Sequence, residues 1–412
     1  MKNRNNFLRG HVFVVDKFSW PVHRSRLFCG VKNPKDEKTR FSLYADLKAI
    51  RENDIVIFYQ RRIDEPPENR GFRGYFKVVS EPFFDEEDIE WEENINGKKV
   101  LYKVLGKCPY CGTSYSEKFE ANDNKREPKC VICGKPLVDD KLIYHILPNR
   151  ILIEPVEYYE LPVDDNTAYI DVTDQGVLRT MLFRKIWGPG RERSISHLLP
   201  EETEKIIRLL RRVNENKVEN LNSIEYPKTS RKKIKIELGE GPMVKHESVL
   251  EAWMMENIDK DYDVLKEVIG PSNEIEYFGN NVLYGIGGEK VDILVTHINE
   301  SGIRYKASVI ELKKGNITKD AISQVKKYAY WIGQLVTANY IIDHEINKLT
   351  LQPILIGYDT AKNLNNELSQ FKRNELKINY LNNRTVKIEI EQIKVLKYLV
   401  EDGKIKFTIE TH

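Results

Sequence analysis

GGEKVDILVTHINESGIRYKASVIELKKGNITKDAISQVKKYAYWI, running from Gly287 to Ile332, decides how the chain is read. Two short apolar runs, Val291 to Val295 and Ala307 to Leu312, flank a polar turn around Asn299 to Gly302. That pattern predicts a hairpin of two buried strands. Each strand carries an acid among aliphatic and β-branched neighbours, Asp292 in the first and Glu311 in the second. Lys313 follows Glu311 at a spacing of two, so strand alternation puts both on one face, and strand pairing brings Asp292 beside them. A solvated ion pair is the plain alternative. Against it stand Val309, Ile310 and Leu312, which predict a buried strand, where acids are seldom left without a partner or a role.

Two carboxylates and an ammonium at one point suit metal-assisted phosphodiester hydrolysis. Asp292 and Glu311 are the candidate ligands for Mg²⁺ or Mn²⁺, which would activate a bound water and offset charge at the phosphate. Lys313 is placed to orient or activate the attacking water or to stabilise that charge. From Lys319 onward, Ala321, Ile322, Val325, Tyr328, Ala329 and Ile332 recur at helical spacing. Gln324 and Tyr328, four apart, share one face of that helix.

In these residues the chain resembles the PD-(D/E)xK nuclease superfamily, in particular its RecB-like branch and the NucS-type endonucleases. The match consists of Asp292, then Glu311-Leu312-Lys313, then Gln324 to Tyr328, within a stretch from about Gly241 to Thr360. The resemblance implies a restriction-endonuclease-like α/β domain with a mixed central sheet. It also implies metal ligands at Asp292 and Glu311, a catalytic Lys313, and a helical Gln-xxx-Tyr motif that aligns and supports the site. A further helical acid completes the family's set, and Glu247 or Glu251 in the segment His246 to Trp253 is the candidate. The Glu-x-x-Leu setting favours Glu247.

The N-terminal segment reads as short strands and turns. Val12 to Val15, Ile55 to Tyr59 and Gly71 to Val79 are β-prone runs. The order of Asn53-Asp54, strand, polar loop, Gly71-Phe72-Arg73-Gly74 and a strand ending at Glu81-Pro82 looks like a PUA-superfamily β-barrel of the EVE type. That resemblance implies nucleic-acid binding, with a modified base flipped into an aromatic pocket. Trp20, Phe58, Tyr59 and Trp91 are the pocket candidates, and ordinary core packing is the competing account of each.

Cys108-Pro109-Tyr110-Cys111 and Cys130-Val131-Ile132-Cys133 form two C-x-x-C pairs, each followed by a glycine. The spacing predicts a zinc ribbon over 103–140, with four thiolates closing a structural Zn²⁺ site. Cys29 is left over and reads as a small buried hydrophobe.

The expected fold class is therefore α/β and mixed, in several domains. A PUA/EVE-like nucleic-acid-binding domain spans 1–215 with the ribbon inserted in it, a linker spans 216–240, and the nuclease domain spans 241–412. Gly176 to Lys185 and Pro200 onward are expected helices, and Gly188 to Ser194, with Arg191 and Arg193, suits phosphate contact. Arg231, Lys232, Lys233 and Lys235 give the linker a basic patch. Pro353 marks Leu351 to Gly357 as an edge strand or a strand start, and Ala361 to Arg373 reads as helical.

Of the 412 residues 41% are hydrophobic and 31% charged, which describes a globular protein with room for more than one core. The net charge of +2 gives no overall basic field, so any DNA-binding surface is local. No stretch approaches the roughly 20 apolar residues of a membrane span, and no signal peptide is evident, so a cytoplasmic location is expected. The expectation is a metal-dependent endodeoxyribonuclease directed to modified DNA. A NucS-type repair nuclease acting on mismatched or branched DNA is the alternative, and a non-catalytic nucleic-acid-binding protein is the third. Cutting both strands would call for two active sites and hence a homodimer.

Overall fold

A computed structural model describes residues 8–410 apart from 17–18, 35, 61–69, 96, 114–128, 131, 137–141, 165–166, 169–193, 261, 284–289, 339–345, 363, 371–372 and 381–383. The expected helix at Gly176 to Lys185, Arg191, Arg193 and most of the 188–194 loop lie outside the described residues.

In chain order the N-terminal half contains β1 (Gly10–Val15), α1 (Ser19–Arg26), β2 (Phe28–Val31), α2 (Glu37–Lys48), β3 (Ile55–Gln60), β4 (Gly71–Val78) and β5 (Phe83–Phe84). A three-stranded sheet follows, β6 (Ile89–Ile95), β7 (Lys98–Val104) and β8 (Leu142–His145). Then come β9 (Asn149–Glu157), β10 (Ile195–Leu198), α3 (Pro200–Val213) and β11 (Lys232–Lys233). The large sheet runs β10-β1-β3-β4-β9-β5-β11, with β2 added to β9. Among the described residues it is open rather than closed, which corrects the barrel expectation. Its two path ends are β10 and β11, and they do not pair with each other. The end at β10 is covered instead: His197 on that strand hydrogen-bonds to Asn280 of the C-terminal half.

The C-terminal half contains α4 (Glu247–Asn257), α5 (Asp263–Val268), β12 (Ile275–Leu283), β13 (Lys290–Ile298), β14 (Arg304–Leu312), β15 (Asn316–Ile317) and α6 (Lys319–Ala338). It ends with β16 (Lys348–Gly357), β17 (Asp359–Thr360), α7 (Asn365–Gln370), β18 (Asn374–Asn379), β19 (Thr385–Ile390), β20 (Lys394–Glu401) and β21 (Lys404–Glu410). Its sheet runs β12-β13-β14-β16-β19-β18, with β20 and β21 continuing from β16. β12 to β14 are antiparallel, whereas β14, β19 and β20 lie parallel to β16, so the sheet is mixed. Among the described residues the helical stretch after Thr360 covers Asn365–Gln370, beginning later than expected.

β16 is central, not an edge. Val309 pairs with Pro353 on one side, and on the other side β16 changes partner at this point. Leu351 ends the pairing with β19 and Ile354 begins the pairing with β20. The missing N–H of Pro353 thus falls where no second strand needs it. Gln352 spans the gap, donating from Nε2 to the Gln392 carbonyl at 2.7 Å.

The two halves are packed, not tethered. One apolar cluster runs from Phe41 and Tyr44 on α2 through Met254 and Met255 on α4 to Ile293 and Ile310 in the second sheet. Lys48 pairs with Glu256 at 2.8 Å, and Arg51 forks onto Asp259 at 2.8 Å to each oxygen. The 216–240 stretch is mostly irregular, as expected of a linker, yet it is docked. Tyr226 donates to the buried Asp85 at 2.5 Å, β11 pairs with β5, and Ile234 is buried.

Candidate active site and metal centre

The hairpin forms where the sequence places it. Asn299 Oδ1 accepts from the backbone N–H groups of Ser301 and Ile303, and Gly302 supplies the left-handed φ of 77° that closes the turn. Ile293 pairs with Ile310, which sets Asp292 level with Glu311. The Leu312 N–H donates to Asp292 Oδ2 at 2.8 Å, and Lys313 Nζ lies 2.5 Å from Glu311 Oε1. Glu311 is buried, and its Oε2 has no hydrogen-bond partner.

α4 brings two more acids to the same strand end. Glu247 Oε2 accepts from the Lys314 N–H at 3.3 Å, and its charge reaches Asp292, Glu311 and Lys313. Glu251, one turn on, is felt at Asp292 and accepts from both Asn280 and Asn281. Glu247 is therefore the acid that faces Glu311 and Lys313. Glu251 acts on Asp292, and more strongly there than Glu247 does.

The electrostatics are those of crowded, desolvated acids. Burial raises Asp292 well above the ordinary carboxylate range, with Glu311, Glu251 and Glu247 adding to the rise and the Leu312 N–H opposing it. Burial likewise raises Glu311, against the pull of Lys313. At Lys313 burial works to lower the pKa, but Glu311, Glu247 and Asp292 outweigh it and the net shift is upward. Lys313 is an ammonium here. On α6, Tyr328 is packed into the apolar cluster with Val309, Ala321 and Val325, while Gln324 is exposed.

The four cysteines converge. Cys108, Cys111, Cys130 and Cys133 are the one group of three or more His, Cys, Asp or Glu among the described residues whose ligand atoms all lie within 4.8 Å of one another. The acids at the β14 end are spaced more loosely. Cys108 and Cys133 sulfurs are 3.8 Å apart, and those of Cys111 and Cys130 are 3.9 Å apart. A tetrahedron with metal–sulfur bonds of about 2.3 Å has edges of about 3.8 Å, so the set fits one thiophilic divalent ion. Each pair is a matching turn: Gly112 N–H donates to the Cys108 carbonyl and Gly134 N–H to that of Cys130, with φ of 67° and 69°. Cys29 is fully buried, as expected.

The four aromatic pocket candidates are all buried, and the structure brings only Trp20 and Phe58 together. Trp20, on α1, packs against Phe58 at 5.2 Å between ring centroids. Strand alternation turns Tyr59 to the opposite face, onto Phe72. Trp91 stacks on Tyr102 in the separate three-stranded sheet. These rings form core in three places.

A buried polar chain between the two halves has no counterpart in the sequence reading. It runs from Asp54 through His11, His197 and Asn280 to Asp46 and Glu251. Its members are scattered along the chain without a spacing motif, so only the fold assembles them. The comparisons with known proteins offer no name for this arrangement: no protein-family model and no curated protein matches the chain.

Proposed function

We propose that this chain is a metal-dependent DNA endonuclease. The observation that carries the reading is the convergence of Asp292, Glu311, Lys313 and Glu247 at the end of β14, with a buried carboxylate oxygen of Glu311 left without a partner. Crowded acids with raised pKa values are the donor set that a hard divalent cation relieves. Asp292 and Glu311 would hold Mg²⁺ or Mn²⁺, with Glu247 alongside. Once bound, the ion supplies an acidified water and a Lewis acid for phosphate oxygens. Lys313, already charged, serves to hold that water or a phosphate oxygen in place and to offset charge at the phosphorus. Gln324, exposed on α6, is free to meet substrate, and Tyr328 anchors its helix. The four cysteines would hold structural Zn²⁺, and the N-terminal half, packed against the sheet that carries the acids, would select the substrate.

The burial of Trp20, Phe58, Tyr59 and Trp91 favours a second reading of that selection. Without those rings as a base pocket, the enzyme is closer to a NucS-type nuclease that selects DNA by structure than to a modification-dependent restriction enzyme. Cleavage of matched plasmid with and without modified cytosines, and of mismatched and branched duplexes, in Mg²⁺ or Mn²⁺, separates the two. Cutting confined to modified plasmid selects the restriction enzyme, and cutting confined to mismatched or branched DNA selects the repair enzyme. No cutting of any substrate refutes the nuclease assignment.

A further inference from the structure

We propose that the N-terminal half supplies a positioning device for the acid cluster: a His11–His197 pair carrying one extra proton fixes the Asn280 amide and through it the Glu251 carboxylate. This rests on the reading of Asp292, Glu311 and Glu247 as metal-binding acids.

Counting protons gives the charge. His11 Nε2 lies 2.8 Å from Asp54 Oδ2, an oxygen that also accepts the Arg51 N–H and sits 3.3 Å from Arg9. Asp54 is held below its usual pKa, with Arg9, His11 and the Arg51 N–H outweighing burial, so it is ionised and His11 Nε2 must donate. The two Nδ1 atoms of His11 and His197 are 2.8 Å apart, so one proton lies between them. His197 Nε2 is 2.9 Å from Asn280 Oδ1, and that oxygen only accepts, because Asn280 Nδ2 is already directed at Asp46 Oδ1 (2.9 Å) and Glu251 Oε1 (2.6 Å). Three contacts need three ring protons, whereas two neutral imidazoles carry two. One ring is an imidazolium. The extra proton belongs to the pair, with Asp54 2.8 Å from His11 at one end and Asp46 3.8 Å from His197 at the other as counter-ions.

The geometry beyond Asn280 is equally directed. Successive residues of a strand point to opposite faces. Asn281, however, adopts a left-handed φ of 51°, and both Asn280 and Asn281 donate to the same oxygen of Glu251. Lys290 in turn donates to Asn281 Oδ1. All of His11, His197, Asp46, Asn280, Asn281 and Glu251 are buried. Glu251 is thus held from the N-terminal half, one helical turn from Glu247 and close enough to act on Asp292. Asn280 and His197 are positioning residues. They touch neither substrate nor metal.

The test uses the full-length chain. Nitrogen NMR of histidine-labelled protein at neutral pH, assigned with His11→Gln and His197→Gln, should show three protonated ring nitrogens and one bare one across the pair. Two bare nitrogens would overturn the proposal. Because this measurement is made on the unsubstituted protein, it stands even where a variant fails to fold. In Asn280→Ala and His197→Ala, Mn²⁺ titrated calorimetrically should bind about ten-fold more weakly, the usual scale for losing a group that orients a ligand. With DNA as substrate, kcat should fall while KM holds. Wild-type Mn²⁺ affinity in folded forms of both variants would overturn the proposal and leave the nuclease reading intact. Mn²⁺ binding that weakens as stated, in a protein that cuts no DNA, would support the positioning role and remove the nuclease reading instead.

Discussion

Arg304 on β14 and Glu201 at the start of α3 form a bidentate ion pair, 3.2 and 3.0 Å, that joins the second sheet to the N-terminal half while hidden from solvent. The same guanidinium also grips Glu276 at 2.6 and 3.0 Å and the Val336 carbonyl at 2.7 Å. Every donor direction of the fork is used, which is what makes a buried charge tolerable. Removing the cation strands two buried carboxylates. Arg304→Ala should therefore cost about 3–5 kcal/mol, the scale for breaking a buried pair from one side. Urea unfolding followed by fluorescence and by circular dichroism checks this. Because the halves share a core, the two probes should move together to a lower midpoint.

Asp292 and Glu311 make a second prediction, about pH. Both have folded-state pKa values raised above their unfolded ones, so the folded chain keeps protons that the unfolded chain has released. Stability of the metal-free protein should then fall as pH rises from the ordinary carboxylate range, about 4, through the raised values. Asp292→Asn removes the repulsion and should flatten that slope, with a gain on the order of 1 kcal/mol at neutral pH, typical of relieving a strained functional site. Adding Mn²⁺ at a hundred times its dissociation constant should stabilise the unsubstituted protein by about 2.7 kcal/mol and the variant much less. Thermal melts across pH, with and without Mn²⁺, read both effects. A flat pH profile in the metal-free protein contradicts the prediction.

The parts of this molecule that the sequence announces are local. The hairpin needs only alternation and the Asn299-to-Gly302 turn, and the cysteine pairs need only their spacing. Helix α2 was not expected, because Phe41, Leu43, Tyr44, Ala45 and Leu47 are all buried and leave no single apolar stripe to read. Its cap was visible: Asp36 Oδ2 accepts from the Thr39 N–H at 2.7 Å, a pattern of Asp three residues before Thr. Asn280 and His197 carry no such mark. Their meaning comes from contacts between residues far apart in the chain, and alternation alone would have sent Asn281 away from Glu251. Pro353 misled for a related reason, since the exchange of β19 for β20 is a property of the sheet.

Zinc gives a third prediction. Apart from the cysteines themselves, the apolar cluster around the four sulfurs consists, among the described residues, of Leu105 and Ile146. So small a core cannot hold the ribbon closed without its ion. The purified chain should carry one zinc per molecule by elemental analysis. Chelation, or Cys111→Ser, should expose amides between 105 and 146 to rapid hydrogen exchange while the β1-β3-β4 strands stay protected. Protection of the ribbon after complete zinc removal would show that the metal is not its support.

Phe58 decides the role of the N-terminal aromatics. It is fully buried between Trp20, Phe76 and His23, with ring centroids 5.2, 5.5 and 5.3 Å away. Phe58→Ala should cost about 3–5 kcal/mol, the cost of emptying an aromatic core site. A residue lining a base pocket would instead lose little stability and much DNA affinity. Chemical denaturation alongside DNA binding by anisotropy separates the two outcomes.

Lys313 carries the sharpest test of the chemistry. Its side chain is a quarter exposed and pairs with the buried Glu311, whose carboxyl, already raised in pKa, can take up a proton when the lysine is removed. Lys313→Ala should therefore still fold, at a cost of about 0.5–3 kcal/mol. Single-turnover cleavage in Mn²⁺ should nonetheless fall about 10²- to 10⁴-fold, the range for losing a positioned charge or proton-transfer group. Lys313→Arg keeps the charge but spreads it over a planar fork of different reach, so it should recover only part of the rate. Glu311→Gln should lose cleavage through a different route, by weakening Mn²⁺ binding, which Lys313→Ala should leave in place. Full activity in Lys313→Ala would remove this lysine from the mechanism and, with it, the main reason for seeing the β14 end as a nuclease centre.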